Sequence, residues 1–347
     1  MKSIVITGHG GNDVVSLAQS EKPLRQPGHA LVRMQVATLN RVDLYMRNSG
    51  AGITHRLPQI MGIDGAGVVE EVDADETDLA VGQRVTLHPA IMCGRCEFCQ
   101  RGQGVLCSRV QYLGEHRDGT MAQWVSVPVQ NAFPIPENLS FTEAAALCGN
   151  HLTAWRMLFT KARVQAGESV LIFGIGGGVS LAALQLAKLA GLTTYVTSRS
   201  ADKLRRAAEM GADHCIDSSH QEVAKTLLAL TQGRGVDVVI ENVGGDSWSQ
   251  AMKSLVRGGR LVTCGATAGD QPPADLRRIF IRQLQIMGST LGDLSEFRQL
   301  IAFADKTGMR PVIDSTYAME DIHAALDRLE SGAQFGKVVV ALNDALQ

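Results

Sequence analysis

The sequence predicts an α/β protein of two domains, a β-rich one and one built on a doubly wound parallel sheet, and three observations carry that prediction. The first third runs in short alternating or β-branched stretches, strands alternate with helical segments from about Thr142, and a glycine-rich turn stands where the first strand of that alternation meets its helix. A chain of 347 residues suits two domains with cores of ordinary size.

The β-rich part comprises SIVIT, ALVRMQVATL, GAGVVEEV, QRVTLHP and QWVSVPV, separated by turns rich in Gly, Pro and Asp. EAAALCGNHLTAWRMLF is helical in composition and marks the change of texture. Next come the apolar strands SVLIFG, TTYVTS, HCID, VDVVIENVG, RLVTCG and LQIMGST, with VSLAALQLAKLA, ADKLRRAAEM and QEVAKTLLALT as helices among them. Continuous apolar strands joined by helical crossovers imply a parallel sheet covered on both faces. The tail from Pro311 adds a strand, an amphipathic helix and a last strand that can return to the first domain. The expected domains are therefore 1–150 with 309–347, and 151–308.

Composition excludes several function classes. Hydrophobic residues make up 45% and charged residues 20%, which is globular rather than disordered, and 33 Lys and Arg against 35 Asp and Glu leave no electrostatic footprint for nucleic acid or an acidic membrane. The opening MKSIVITGHGGNDVV has no apolar run before a small-residue cleavage site, and no later stretch approaches the length of a membrane span, so a cytoplasmic protein acting on a small molecule is expected.

The strongest cofactor signal is Gly174-Ile-Gly176-Gly177-Gly178-Val179-Ser180, between a strand and a helix. Glycine permits the tight turn and lets backbone N–H groups approach a pyrophosphate on the positive end of the helix. Ser180 takes the place of a third glycine, which predicts slightly wider packing there. About twenty residues on, where an acidic side chain would hold the ribose 2′-hydroxyl of NAD, stand Ser198 and Arg199, with Lys203 one turn further. A hydroxyl and a guanidinium suit the 2′-phosphate of NADP(H).

Of seven cysteines, Cys93, Cys96, Cys99 and Cys107 fall within fifteen positions. In a reducing compartment that spacing predicts one tetrahedral zinc ion, structural because four thiolates leave no open position. Arg95, Arg101 and Arg109 would offset its negative charge.

Together these features resemble the medium-chain dehydrogenase/reductase superfamily. The likeness runs nearly end to end through ATLNRVDLYMRNSG, MGIDGAGVVEEV, CGRCEFCQRGQGVLC, LTAWRML, the glycine turn, GVDVVIENVGG, GGRLVTCGAT and LESGAQFGKVVV. The resemblance implies a GroES-like catalytic domain, a Rossmann domain, a cofactor in the cleft between them, and a homodimer or homotetramer through the edge of the Rossmann sheet. Val243, Gly265 and Leu291 complete the expected cofactor contacts. In zinc-dependent members a Cys stands where this chain has Asn40, a His-Glu pair where it has Ile63-Asp64, and a third ligand comes from the segment of Cys148 and Gly149. Val42 replaces the hydroxyl residue that starts their proton relay. Asn40, Asp43, Arg47 and Gly50, with Gly62, Asp64 and Gly67, are similar instead to the zinc-free quinone oxidoreductase and enoyl reductase branch.

The expected reaction is hydride transfer from NADPH to a quinone or a conjugated C=C, with no catalytic metal. Asn40 is a candidate oxyanion donor and Tyr45 a candidate proton donor. Asp64 is a candidate supporting group, as is Asp43, and His151 and His116 are weaker candidates. Two alternatives stay open: an alcohol or aldehyde dehydrogenase with a shifted zinc on Cys148, His151 and Asp64, and a cofactor-binding protein with a mainly regulatory role.

Overall fold

The computed structural model describes residues 1–73 and 77–343, so the last four residues of the expected 309–347 segment lie outside the described residues. The chain divides into two compact units, one of Met1–Gly149 with Gly292–Gln347 and one of Asn150–Leu291.

Unit 1 is built on a seven-stranded sheet in which His29–Thr38 is central, pairing antiparallel with Asp64–Glu71, Trp124–Pro128 and Lys337–Ala341. Partners on both edges satisfy its backbone, nearly all of HALVRMQVAT is buried, and Val32, Met34, Leu87, Val127 and Val340 join its core. The segment after this strand, inside the part read as β-rich, is a helix, Arg41–Ser49. Asp43 starts it by accepting the Asn40 N–H at 2.7 Å, and Gly50 at φ 68° ends it. Helix Leu294–Thr307 also clusters with unit 1, so that boundary falls at Gly292 and not at 309. The reason is packing: the Phe297 ring lies 5.0 Å from Phe133 and 5.8 Å from His88, and His88 Nε2 lies 3.0 Å from the Gly292 carbonyl.

Unit 2 is a six-stranded sheet, parallel throughout, ordered His214–Asp217, Thr193–Ser198, Ser169–Ile172, Val236–Glu241, Leu255–Thr263, Gln285–Gly288. This is the 3-2-1-4-5-6 order of the Rossmann fold, with the chain reversing direction of growth beside Ser169–Ile172. Leu171, Ile216, Leu227, Val239 and Leu261 form its core. Among the described residues no helix is long and apolar enough to cross a membrane.

Candidate functional site

In unit 1 the ends of three neighbouring strands meet in a buried polar knot. Asp64, fully buried, accepts at Oδ2 from Thr38 Oγ1 (3.0 Å), Asn40 Nδ2 (2.9 Å) and Lys337 Nζ (3.0 Å), and at Oδ1 from the Gly149 N–H (2.9 Å). Lys337, 2% exposed, also donates to Asn40 Oδ1 at 2.8 Å and to the Leu39 carbonyl at 3.0 Å. All three ammonium protons thus have acceptors, as a buried charge requires. Residue 149 has to be glycine, because a Cβ there would sit 2.9 Å from both Asp64 carboxylate oxygens.

These residues do not fit a catalytic metal. The two positions that supply thiolate and imidazole in zinc-dependent members hold Asn40 and the half-buried Ile63, and the Lys337 ammonium already carries the positive charge that Asp64 pairs with. Burial and the Asp64 carboxylate raise the Cys148 thiol well above its ordinary range, so it stays protonated. Among the described residues, the only group of three or more possible ligands close enough for one ion is the cysteine quartet.

The knot also alters the expected role of Asn40. Its amide nitrogen donates to Asp64 and, at 3.4 Å, to the Thr38 carbonyl, and its oxygen accepts from Lys337. Both N–H bonds are engaged inside the protein, so Asn40 fixes the knot instead of offering a donor to a substrate. Sequence reading missed Lys337, although a lysine inside the apolar run FGKVVVAL signals a buried counter-charge.

Tyr45 is not part of the knot. It is exposed on helix Arg41–Ser49, since two residues beyond Asp43 the helix has turned it away, and its hydroxyl meets no partner among the described residues. His151 belongs to unit 2, buried with its Nε2 2.9 Å from Gln185 Oε1. His116 accepts the Tyr112 N–H at Nδ1 (3.2 Å) and braces its own loop.

Asp43 is 3% exposed, and burial pushes its carboxyl up to about 7, against the lowering effect of the Asn40 N–H. A folded pKa above the unfolded one means that the folded state binds more protons, so stability falls as pH rises from about 4 to 7. Asp43→Asn should therefore leave stability at pH 4 nearly unchanged and raise it at pH 8. Thermal unfolding at both values checks this, and an equal shift at the two pH values would sink it.

In unit 2 the glycine turn follows Ser169–Ile172 and opens helix Gly178–Leu189. Gly174 and Gly176 have φ of 68° and 107°, which L side chains avoid. The turn is tied to the second strand by Ile175 N–H to the Thr197 carbonyl (2.8 Å) and Gly174 N–H to Thr197 Oγ1 (3.3 Å). A Cβ on Gly176 would lie 2.6 Å from Lys203 Cδ, and one on Gly178 would collide with the Asn150 amide, so both residues, the second unforeseen, lie close against the turn. The Ser180 hydroxyl, in the place of a third glycine, donates to the Phe173 carbonyl (2.7 Å) and accepts from Asn242 Nδ2 (3.1 Å).

Ser198, at the end of the second strand, accepts the Ser200 N–H at 3.1 Å, and Arg199 is exposed with no ion pair or hydrogen bond among the described residues. Val179 lies in the first turn of helix Gly178–Leu189. Val243, Gly265 and Leu291 follow the carboxyl ends of their strands, the end that carries the glycine turn. Ligands of doubly wound sheets bind at that end.

The four cysteine sulfurs all lie within 4.8 Å of one another, which fits one tetrahedral ion. Short helix Glu97–Gln100 presents Cys96 and Cys99, the Gly104–Leu106 turn presents Cys107, and Cys93 follows strand Ala90–Ile91. Cys107 Sγ accepts the N–H groups of Cys93 and Arg109 at 3.4 Å, and the Arg109 guanidinium reaches Cys93 Sγ at 3.5 Å. Arg101 turns instead to Glu97. The Arg95 N–H draws the Cys93 thiol down to about 6, whereas burial and then Cys96 push Cys99 up to about 12, and a bound cation would replace the protons that the quartet shares.

Comparison with known proteins agrees with this geometry. Residues 26–137 match the alcohol dehydrogenase GroES-like domain, and residues 178–306 match the family described as zinc-binding dehydrogenase. An alcohol dehydrogenase of Geobacillus stearothermophilus is 30% identical over 95% of this chain and 96% of its own. A zinc-type alcohol dehydrogenase-like protein of Schizosaccharomyces pombe is 31% identical over 96% of each. The crystal structure of an NAD-dependent alcohol dehydrogenase superposes with a TM-score of 0.95 at 38% identity, covering 99% of this chain and 100% of that one. The chain belongs to the medium-chain dehydrogenase/reductase superfamily, among the zinc-type alcohol dehydrogenase-like proteins, and is a nicotinamide-dependent oxidoreductase.

Proposed function

We propose that this protein is an NADPH-dependent reductase of quinones or of C=C bonds conjugated to a carbonyl, working without a catalytic metal. The observation that carries the reading is the Lys337–Asp64–Asn40 knot, in which an internal ammonium pairs with the carboxylate where relatives place a catalytic ion. NADPH supplies a hydride. A conjugated acceptor spreads the resulting charge over its own π-system and has least need of a Lewis acid.

The backbone N–H groups of Gly178 and Val179, at the start of helix Gly178–Leu189, hold the pyrophosphate over the turn that Gly174, Gly176 and Gly177 shape, Ser198, Arg199 and Lys203 hold the 2′-phosphate, and Val243, Gly265 and Leu291 border the remainder. Asn40 and Asp64 act as positioning residues, and Tyr45 and His151 lie outside the knot. The cysteine quartet holds a structural zinc. The unpaired outer edge of strand Gln285–Gly288 supports assembly into homodimers, in the cytoplasm.

A second reading is an NAD-dependent alcohol dehydrogenase, favoured by the name of the 38%-identical structure. Turnover of a panel of quinones, enones, enoyl thioesters and alcohols with each cofactor separates the two. Guanidinium–phosphate hydrogen bonds contribute roughly 1.5–3 kcal/mol each, so wild type should prefer NADPH by at least about tenfold per bond. Arg199→Ala should raise the KM for NADPH and leave that for NADH nearly unchanged, and Ser198→Asp should move preference toward NADH. Equal kcat/KM with both cofactors, or alcohols as the best substrates, would overturn the proposal.

A further inference from the structure

Unit 2 carries a second polar feature, at the opposite end of its sheet from the glycine turn. A cleft of about 340 Å³ is lined by Arg257, Asp275, Arg277, Arg278, Ile281 and Arg282. Arg257 lies near the start of strand Leu255–Thr263, and Arg282 ends helix Leu276–Arg282 just before strand Gln285–Gly288, so both stand at the amino ends of their strands. The glycine turn stands at the carboxyl ends, which separates the cleft from the cofactor residues.

Four guanidiniums face one carboxylate there. Asp275 is engaged by Arg278, with Nε 3.5 Å from its oxygen, and leaves the other three without an acid. Arg257 and Arg282 are fixed by backbone carbonyls, Arg257 Nη1 donating to Ile281 at 3.1 Å and Arg282 Nη2 to Leu255 at 2.9 Å. Arg282 Nε is buried and has no acceptor among the described residues. A buried donor left unpaired is costly, more so when it is charged, and like charges held close repel one another. Burial and then the Arg278 and Arg257 charges lower the pKa of Arg282, the direction that unrelieved repulsion gives. Solvated surface arginines would turn apart; here the main chain holds two of them in place.

We propose that this arginine cleft is an anion site for a compact phosphorylated small molecule of at least two negative charges, separate from the cofactor site. Phosphate oxygens accept forked N–H pairs from several guanidiniums at once, which a single carboxylate does less completely. The exposed Leu276 and Phe280 on the same helix raise a second source of phosphate, a lipid headgroup, which the experiment distinguishes.

Inorganic pyrophosphate is titrated calorimetrically into protein saturated with NADPH, so that the cofactor residues are already filled. Saturable binding of one pyrophosphate per chain is expected, weakened at least about tenfold in the double variant Arg257→Gln, Arg278→Gln and unchanged in Arg199→Ala. Should the double variant misfold, the exposed Arg277→Gln serves in its place, with a smaller loss expected. No binding, equal binding by the variants, or loss in Arg199→Ala alone overturns the proposal. Sedimentation with phosphatidylcholine vesicles containing phosphatidic acid, without binding of pyrophosphate, overturns it in favour of a membrane surface. Burial of these arginines against a second copy, seen as a dimer that blocks pyrophosphate, overturns it as well.

Discussion

Lys337→Met should lower stability by about 3–5 kcal/mol, because it leaves the Asp64 carboxylate buried with no counter-charge. The same substitution frees Asn40 Oδ1 and the Leu39 carbonyl, both bonded to the ammonium. Removing both charges together, in Asp64→Asn with Lys337→Met, should recover much of the loss, since a neutral pair has no uncompensated ion. Urea unfolding of the single and double variants measures the coupling. A loss under about 1 kcal/mol in the single variant, or no recovery in the double one, would show that the ion pair does not hold the knot together.

The cysteine lobe should carry one zinc per chain, and Cys96→Ser should remove it. Structural zinc in small domains contributes on the order of 10 kcal/mol of apparent binding free energy at neutral pH. Its loss leaves short elements such as Glu97–Gln100 too small to persist alone. Elemental analysis should read near one zinc in wild type and near zero in the variant, with new protease cleavage between 91 and 110. A chelator too weak to strip the lobe should leave reductase activity unchanged. Two zinc ions per chain would restore the shifted-site dehydrogenase, and none under reducing conditions would remove the zinc assignment.

Most of the fold was legible because its signals are local. The apolar strands from Ser169 onward announce themselves by composition, and Gly174–Gly178 by the context of strand, turn and helix. The quartet was legible from spacing, since ligands close in sequence can close on one ion. Helix Arg41–Ser49 was hidden by the β-rich texture around it, although Asp43 three residues after Asn40 and Gly50 at the end are its start and stop signals. The unit boundary at Gly292 was illegible because Phe297 finds Phe133 nearly half the chain away. The knot escaped for the same reason: Asn40 and Asp64 were visible as candidates, but the partner that uses up their hydrogen bonds lies far along the chain. Tyr45 was judged by its nearness to Asp43 in sequence, and helical geometry turns neighbours to different sides.

That Lys337 pairs with Asp64 across 273 residues has a consequence for how the protein is made. During synthesis the Asp64 strand leaves the ribosome long before its counter-ion exists, and the whole of unit 2 is translated in between. Unit 2 is one continuous segment and can complete its core first, whereas unit 1 has to wait for strand Lys337–Ala341 to close its sheet and neutralise its buried charge. Until then the exposed edge of strand His29–Thr38 is open to mispairing. Nascent chains stalled before residue 337 should therefore depend on chaperones through unit 1 alone.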